Sequence, residues 1–315
     1  MIFNNNWLKL VTLLDLIKHI DIFIRSFSDY ANYLYNEIFF LNKDWGPWYE
    51  NYFYWLIFVS LIFWLWELAL PWRKDQKAFR KDFWLDAFYM LFNFFLFSLI
   101  IYNAASNVFV SMFKDVCFYL GFENGIALSV ETLPFWAKLC FAFLLKDFIH
   151  WNVHRLLHRV PFLWQFHKLH HSAEQMGFAA HLRFHWMETI VYNTLQYIPL
   201  AILGFGLQEY FFVHILSLSI GHFNHSNVRL NLGPFKYVIN NPQMHLWHHA
   251  KDIPEKYGVN FGLSLSVWDY IFKTAYIPDN NADIILGFKN IEYYPKTFFK
   301  QMLYPFLKRR SAQKI

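Results

Sequence analysis

The sequence predicts an all-α fold: a polytopic membrane helical bundle with a cytosol-facing, histidine-rich helical cap that holds a dinuclear metal site. Three observations carry that expectation. Hydrophobic residues make up 56% of the 315 positions and charged residues only 16%, against about 25% charged in soluble domains. Several stretches approach the roughly 20 apolar residues that a helix needs to cross a bilayer. Finally, fourteen of the fifteen histidines fall between His150 and His249.

The 38 phenylalanines and 14 tryptophans fit a membrane interface or a lipid-handling pocket. The net charge of +5 comes largely from two clusters, Arg73 to Lys81 and Lys308 to Lys314, read as cytoplasmic-side segments. No broad basic face is visible, so nucleic acid is excluded as a partner. Two cysteines, Cys117 and Cys140, are too few for a disulfide framework or a thiolate cluster and are read as inert packing residues. The first residues lack a basic n-region and a cleavage site, so insertion is expected to rely on the first transmembrane helix.

Residues 1–50 form an N-terminal amphipathic region. Trp7 to Ile24 alternates apolar and polar faces at helical spacing, and its charges favour an interfacial helix with His19 solvated. Residues 51–134 hold transmembrane helices, Tyr52 to Leu70 and Phe83 to Tyr102, joined by a basic loop that marks the cytoplasmic side. Asn103 to Glu131 reads as a connection on the far side. Residues 135–275 form the histidine-rich domain. Its first helix, from Phe135, returns toward the cytoplasm and runs on into the first histidines. Met187 to Ile220 forms a membrane hairpin of two short helices turning at Leu203 to Leu207. Residues 276–315 are a C-terminal basic tail.

The histidines occur in groups: His154 and His158; His167, His170 and His171; His181 and His185; His222 and His225; His245, His248 and His249. Spacings of three and four put imidazoles on one helical face within about 5–6 Å of one another. Such nitrogen donors suit iron, zinc, copper or nickel. About ten well-spaced candidates exceed the four ligands of one tetrahedral zinc, so two metals are expected. His150 and His214 read as core or interfacial histidines, while His181 and His222 stay open between ligand and core. Asp147, Glu188 and Asn227 stand where they could accept the outer ring N–H of a ligating histidine.

The segments DFIHWNVHRLLH, LWQFHKLHHS, LRFHWMETI, HSNVRLNLGP, HLWHH and YGVNFGLSLSVWDYIF together resemble the fatty acid hydroxylase / sterol desaturase superfamily of membrane di-iron oxygenases, over Asp147 to Thr274. The resemblance implies two irons held by His154, His158, His167, His170, His171, His185, His225, His245, His248 and His249. Trp186 stands where proline is common and Lys273 where glycine is usual. His150 occupies a position that is usually aromatic and is kept outside the metal set.

The implied activity is O2-dependent oxidation of an unactivated C–H bond, as hydroxylation or desaturation, on a sterol, fatty acyl lipid, carotenoid or ether lipid. No dinucleotide fingerprint, cysteine cluster or haem domain is present, so a cytochrome, ferredoxin or reductase is expected to supply electrons. Tetrahydropterin is a second candidate reductant, because the alkylglycerol monooxygenase branch of the superfamily uses one. The expected location is an integral membrane protein, of the inner or plasma membrane in a bacterium or the endoplasmic reticulum in a eukaryote, with its metals on the cytoplasmic face. Two rivals remain. A metal transporter or storage protein would place ligands within the spans, and a zinc-dependent lipid hydrolase would need a general base beside three or four ligands.

Overall fold

The computed structural model describes residues 5–39, 49, 51–119, 130–230, 232–253, 255–278 and 284–307. The described residues form helices joined by loops, with three isolated bridges, Pro71 to Val228, Ile239 to Leu265 and Ala250 to Leu286, as the only extended pairing among them. The chain divides into two compact units, 1–53 with 94–127, and 54–93 with 128–315.

In the first unit, helix α1 (Asn5–Phe39) packs against α4 (Asn103–Tyr119). Both differ from expectation. The amphipathic pattern continues to Phe39, and the stretch expected as a connection is helical at least to Tyr119. Lys18 Nζ lies 2.7 Å and His19 Nε2 3.6 Å from Asp115 Oδ2, so His19 is half-buried against α4 rather than solvated. Lys18 and His19 thus meet α4 through Asp115, while Ile17, Ile20, Ile24 and Phe27 are exposed. That arrangement keeps polar groups away from an apolar surround. Residues 120–129, the rest of the expected connection, lie outside the described residues.

Helix α2 (Tyr52–Ala69) and the helical run Phe83–Val108 are long and apolar enough to cross a membrane. The second run comprises α3 (Phe83–Leu91), a π-helical stretch (Phe92–Tyr102) and the start of α4. Phe58, Leu61, Ile62, Leu65 and Leu68 leave much of α2 apolar on the outside. Near its end, Glu67 Oε1 accepts the backbone N–H groups of Phe178 and Asn227 at 2.7 and 2.9 Å, tying the helix to the histidine-rich segments.

The second unit is built around α5 (Phe135–Arg159), α7 (Trp186–Ile202) and α8 (Leu207–His225), with α5 packed on both of the others. Where a hairpin is expected, α7 and α8 are two helices joined by a turn at 203–206, in which Gly204 takes φ +84. Short helices complete the cap: α6 (Pro161–His167), α9 (Pro242–His248) and α10 (Val267–Ile271). Below it, Asp86 is fully buried between Arg80 (2.6 Å) and Arg183 (2.8 Å), which neutralise its charge from two sides. Of the stretch expected as a basic tail, 308–315 lie outside the described residues, and part of 284–307 packs on the core. Phe288, Ile291, Tyr294 and Met302, the last on α11 (Phe298–Leu307), pack with Tyr89 and Leu169. Cys140, expected as a packing residue, is exposed on α5, and the side chain of Cys117 is outside the described set.

Candidate metal centre

Five short elements deliver the histidines. The continuous helix α5 places His154 and His158 one turn apart on one face. Helix α6, opened by Pro161, whose fixed φ suits the first helical position, ends on His167. A single 3-10 turn then carries His170 and His171. His225 closes α8. Helix α9 starts at a sharp cap, in which Asn241 Oδ1 accepts Met244 N–H at 3.1 Å and Pro242 follows, and it ends in His245, His248 and His249.

Nine of the ten expected ligands meet in two groups, His154, His158, His167, His171 and His248 in one, and His170, His225, His245 and His249 in the other. Within each group the nitrogens lie within 4.8 Å of one another. Each adjacent pair is divided: His170 and His171 go to different groups, as do His248 and His249. Successive side chains on a helical turn diverge by about 100°, which makes that division possible. The groups touch where the His171 and His249 rings stack at 4.3 Å.

The hydrogen bonds fix which ring nitrogen is bare. The Nδ1–H groups of His154, His248 and His225 donate to the carbonyls of Phe261, Val259 and Gly221, each at 2.8 Å. His167 Nδ1 donates to Glu188 Oε2 at 2.6 Å. A carbonyl only accepts, so His154, His248 and His225 present Nε2 as a lone pair, as His167 does where Glu188 is ionised. The Nε2 atoms of neighbouring rings face one another. His154 and His167 Nε2 are 3.1 Å apart, and His225 Nε2 is 3.2 Å from that of His170 and 2.9 Å from that of His245.

Bare nitrogens at that distance repel unless a cation stands between them. Two nitrogens each about 2.0–2.1 Å from one ion would be separated by about 3 Å. The Nε2 atoms of His158, His171 and His248 are buried with no hydrogen-bond partner at all. In the other group the partnerless nitrogens are Nδ1 of His170, His245 and His249, so both groups fit a metal ion by donor type and by orphaned ring nitrogens.

Eight of the nine histidines are at most 4% exposed. Burial is the largest cause that drives their basicity down, to about 4 for His154 and about 3 for His225, and well below the ordinary value for His170, His171 and His249. They are neutral at physiological pH, the form that ligates metal.

His185 stands apart. Its Nε2–H donates to Met302 O at 2.9 Å and its Nδ1 accepts Met187 N–H at 3.1 Å, so both nitrogens are engaged away from the clusters. The family resemblance implies a ligand here, but the break before α7 turns His185 toward α11. Glu188 supports His167 rather than its neighbour in sequence. Asp147 touches no histidine: its Oδ1 accepts Ser264 N–H, and its Oδ2 accepts Leu265 N–H and Trp268 Nε1–H. Asn227 also touches none, exchanging hydrogen bonds with the backbone of Arg73.

Of the histidines left outside or open, His150 Nδ1 meets Gln196 Nε2 at 3.0 Å and its ring stacks on Tyr192. His181 and His222 join to each other through Nδ1 at 2.9 Å, with His222 Nε2 3.1 Å from Ser60 Oγ. His214 stacks on Tyr210, away from both groups.

Two supporting residues escape the spacing argument. Asp269 is fully buried, and burial pushes its carboxyl up. It accepts Phe261 N–H, Gly262 N–H, Trp151 Nε1–H and Thr274 Oγ–H, and so holds the backbone whose Phe261 carbonyl orients His154. Asn260, at φ 55, donates to the carbonyls of Met244 and Tyr276 and braces the adjoining turn. A lone acid in an apolar run was the available signal for Asp269; nothing marked Asn260. Lys273 takes φ 58, the left-handed region that explains why glycine is usual there.

Comparison with known proteins gives a consistent picture. A family model described as fatty acid hydroxylase matches residues 139–274. Ornithine lipid hydroxylase OlsE of Rhizobium tropici is 30% identical over 179 residues, 57% of this chain and 53% of that protein. Human alkylglycerol monooxygenase is 33% identical over 149 residues, 46% of this chain and 32% of that protein. The Caenorhabditis elegans alkylglycerol monooxygenase is 25% identical over 265 residues, 82% of this chain and 45% of that protein. The chain thus spans about half or less of the length of these relatives. No solved structure matches it significantly.

Proposed function

We propose that this chain, whose residues 139–274 match the fatty acid hydroxylase family model, is a membrane-bound lipid hydroxylase whose two histidine groups hold two irons. The reading rests on one observation above others: buried ring nitrogens, several with no hydrogen-bond partner, converge as two adjoining all-imidazole sets. Two irons held there would supply the redox chemistry that reduces O2 and oxidises a C–H bond. The overall balance is RH + O2 + 2e⁻ + 2H⁺ → ROH + H2O.

The protein's part is to hold and orient. His154, His158, His167, His171 and His248 form one ligand set, and His170, His225, His245 and His249 the other. The carbonyls of Val259, Phe261 and Gly221 and the carboxylate of Glu188 keep the inward nitrogens deprotonated. The substrate is an amphiphilic lipid reached from the membrane, and ornithine lipids and alkylglycerols, named by the relatives, are the first to assay. Electrons come from a separate donor, a cytochrome, ferredoxin or reductase, or from tetrahydropterin. The site faces the cytoplasm, on the side of the basic loop.

A zinc hydrolase would need a free carboxylate as general base. Glu188, the acid against the clusters, is tied to His167 and to the N–H of His185. Purified protein loaded with iron, given reductant, labelled O2 and each lipid class, should yield a product carrying one labelled oxygen. Unlabelled product, or lipid cleavage in place of hydroxylation, would overturn the reading.

A further inference from the structure

Lys146 lies on the inner side of α5, 4% exposed, and its ammonium makes one hydrogen bond, to Ser217 Oγ on α8 at 3.0 Å. Ser217 donates its own proton to Val213 O at 2.8 Å, so its lone pair is what Lys146 meets. No described carboxylate lies within ion-pair distance. The adjacent Asp147 is turned away, with both oxygens engaged by Ser264, Leu265 and Trp268. An ammonium has three donors, and a buried one without a counter-ion is costly unless an anion completes it.

Its surroundings are polar on three helices. His150, one turn along α5, takes a hydrogen bond from Gln196 of α7. His214 lies one turn before Ser217 on α8. Both histidines are within electrostatic reach of Lys146, and both keep part of their surface accessible while Lys146, Gln196 and Ser217 are buried. Residues 146, 150 and 154 fall at intervals of four on one face of α5, so Lys146 is about 12 Å along the axis from His154 of the metal group.

We propose that Lys146, with Ser217 beside it, binds the carboxylate of an amphiphilic substrate whose reacting carbon then lies toward the histidine clusters. One positive charge matches one carboxylate, and two helical turns separate that anchor from the metals. The proposal rests on the hydroxylase reading for the identity of the ligand as substrate, though the binding site itself does not depend on it.

The test uses the full-length protein, iron-loaded in mild detergent, and two quenchers of tryptophan fluorescence, dibrominated stearic acid and its methyl ester. The wild type should bind the acid about tenfold more tightly than the ester. Lys146→Met should abolish the preference and Lys146→Arg should keep it, with iron content unchanged in both. Equal binding of acid and ester by the wild type, which needs no variant to fold, overturns the proposal, as does a preference that survives in Lys146→Met. Iron content and labelled-oxygen incorporation are measured on the same wild-type sample. Their failure with the acid preference intact would remove the hydroxylase reading and leave the site.

Discussion

Glu188 Oε2 lies 2.6 Å from His167 Nδ1 across 21 residues of sequence, a buried carboxylate joined to a buried imidazole. The pair links the start of α7 to the end of α6 and fixes the tautomer that turns His167 Nε2 toward His154. A carboxylate behind a ligating histidine also raises its basicity as a donor.

Glu188→Ala should therefore weaken metal binding by about 10- to 100-fold, read by competition against a calibrated chelator. Glu188→Gln keeps an acceptor without the charge and should fall between. Unchanged affinity in the alanine variant would mean that the pair is structural alone.

His185 and the clustered histidines should behave differently. His170→Ala and His248→Ala are expected to lose iron while the protein still inserts into membranes. His185→Ala should keep its iron and lose about 1–3 kcal/mol of stability, because the buried Met302 carbonyl is left unsatisfied. Equal iron loss in all three variants would return His185 to the ligand set.

That contrast shows what the sequence carried. The paired spacings of three and four exposed eight of the nine clustered histidines, because on short helices spacing is geometry, and the family resemblance added His225. His185 failed because its segment is a break between elements, where direction depends on what packs there, and α11 lies outside the motif. Asp147 and Asn227 failed for a related reason, since proximity along the chain says nothing about which loop a carboxylate or amide will meet. The turn between α7 and α8 was legible from Gly204, Gly206 and the apolar runs. The α1 and α4 pairing was not, because it joins segments far apart in the sequence, as in Lys18 to Asp115 and Asn107 to Ser26.

Asp269 accepts four hydrogen bonds in a fully buried setting. Asp269→Ala should cost on the order of 4 kcal/mol and release the turn that positions the Phe261 carbonyl. A thermal midpoint in detergent within a degree or two of the wild type would contradict that role.

The metal-free protein should be acid-labile in a defined window. Burial lowers His154 and His185 to about 4, below the roughly 6.5 of an unfolded histidine. Between those values the unfolded chain binds more protons, so stability is fully present above about pH 6.5 and is lost as pH falls toward 4. Thermal midpoints followed from pH 8 to pH 4 should hold steady and then decline below about 6.5. A flat profile from pH 7 to pH 5 would show that these imidazoles are solvated in the metal-free fold.

The most direct test of the central claim is iron per chain, counted in protein purified without oxygen and reconstituted with ferrous iron. Two adjoining imidazole sets predict about two irons per chain. A value of one or less after reconstitution would contradict the dinuclear centre.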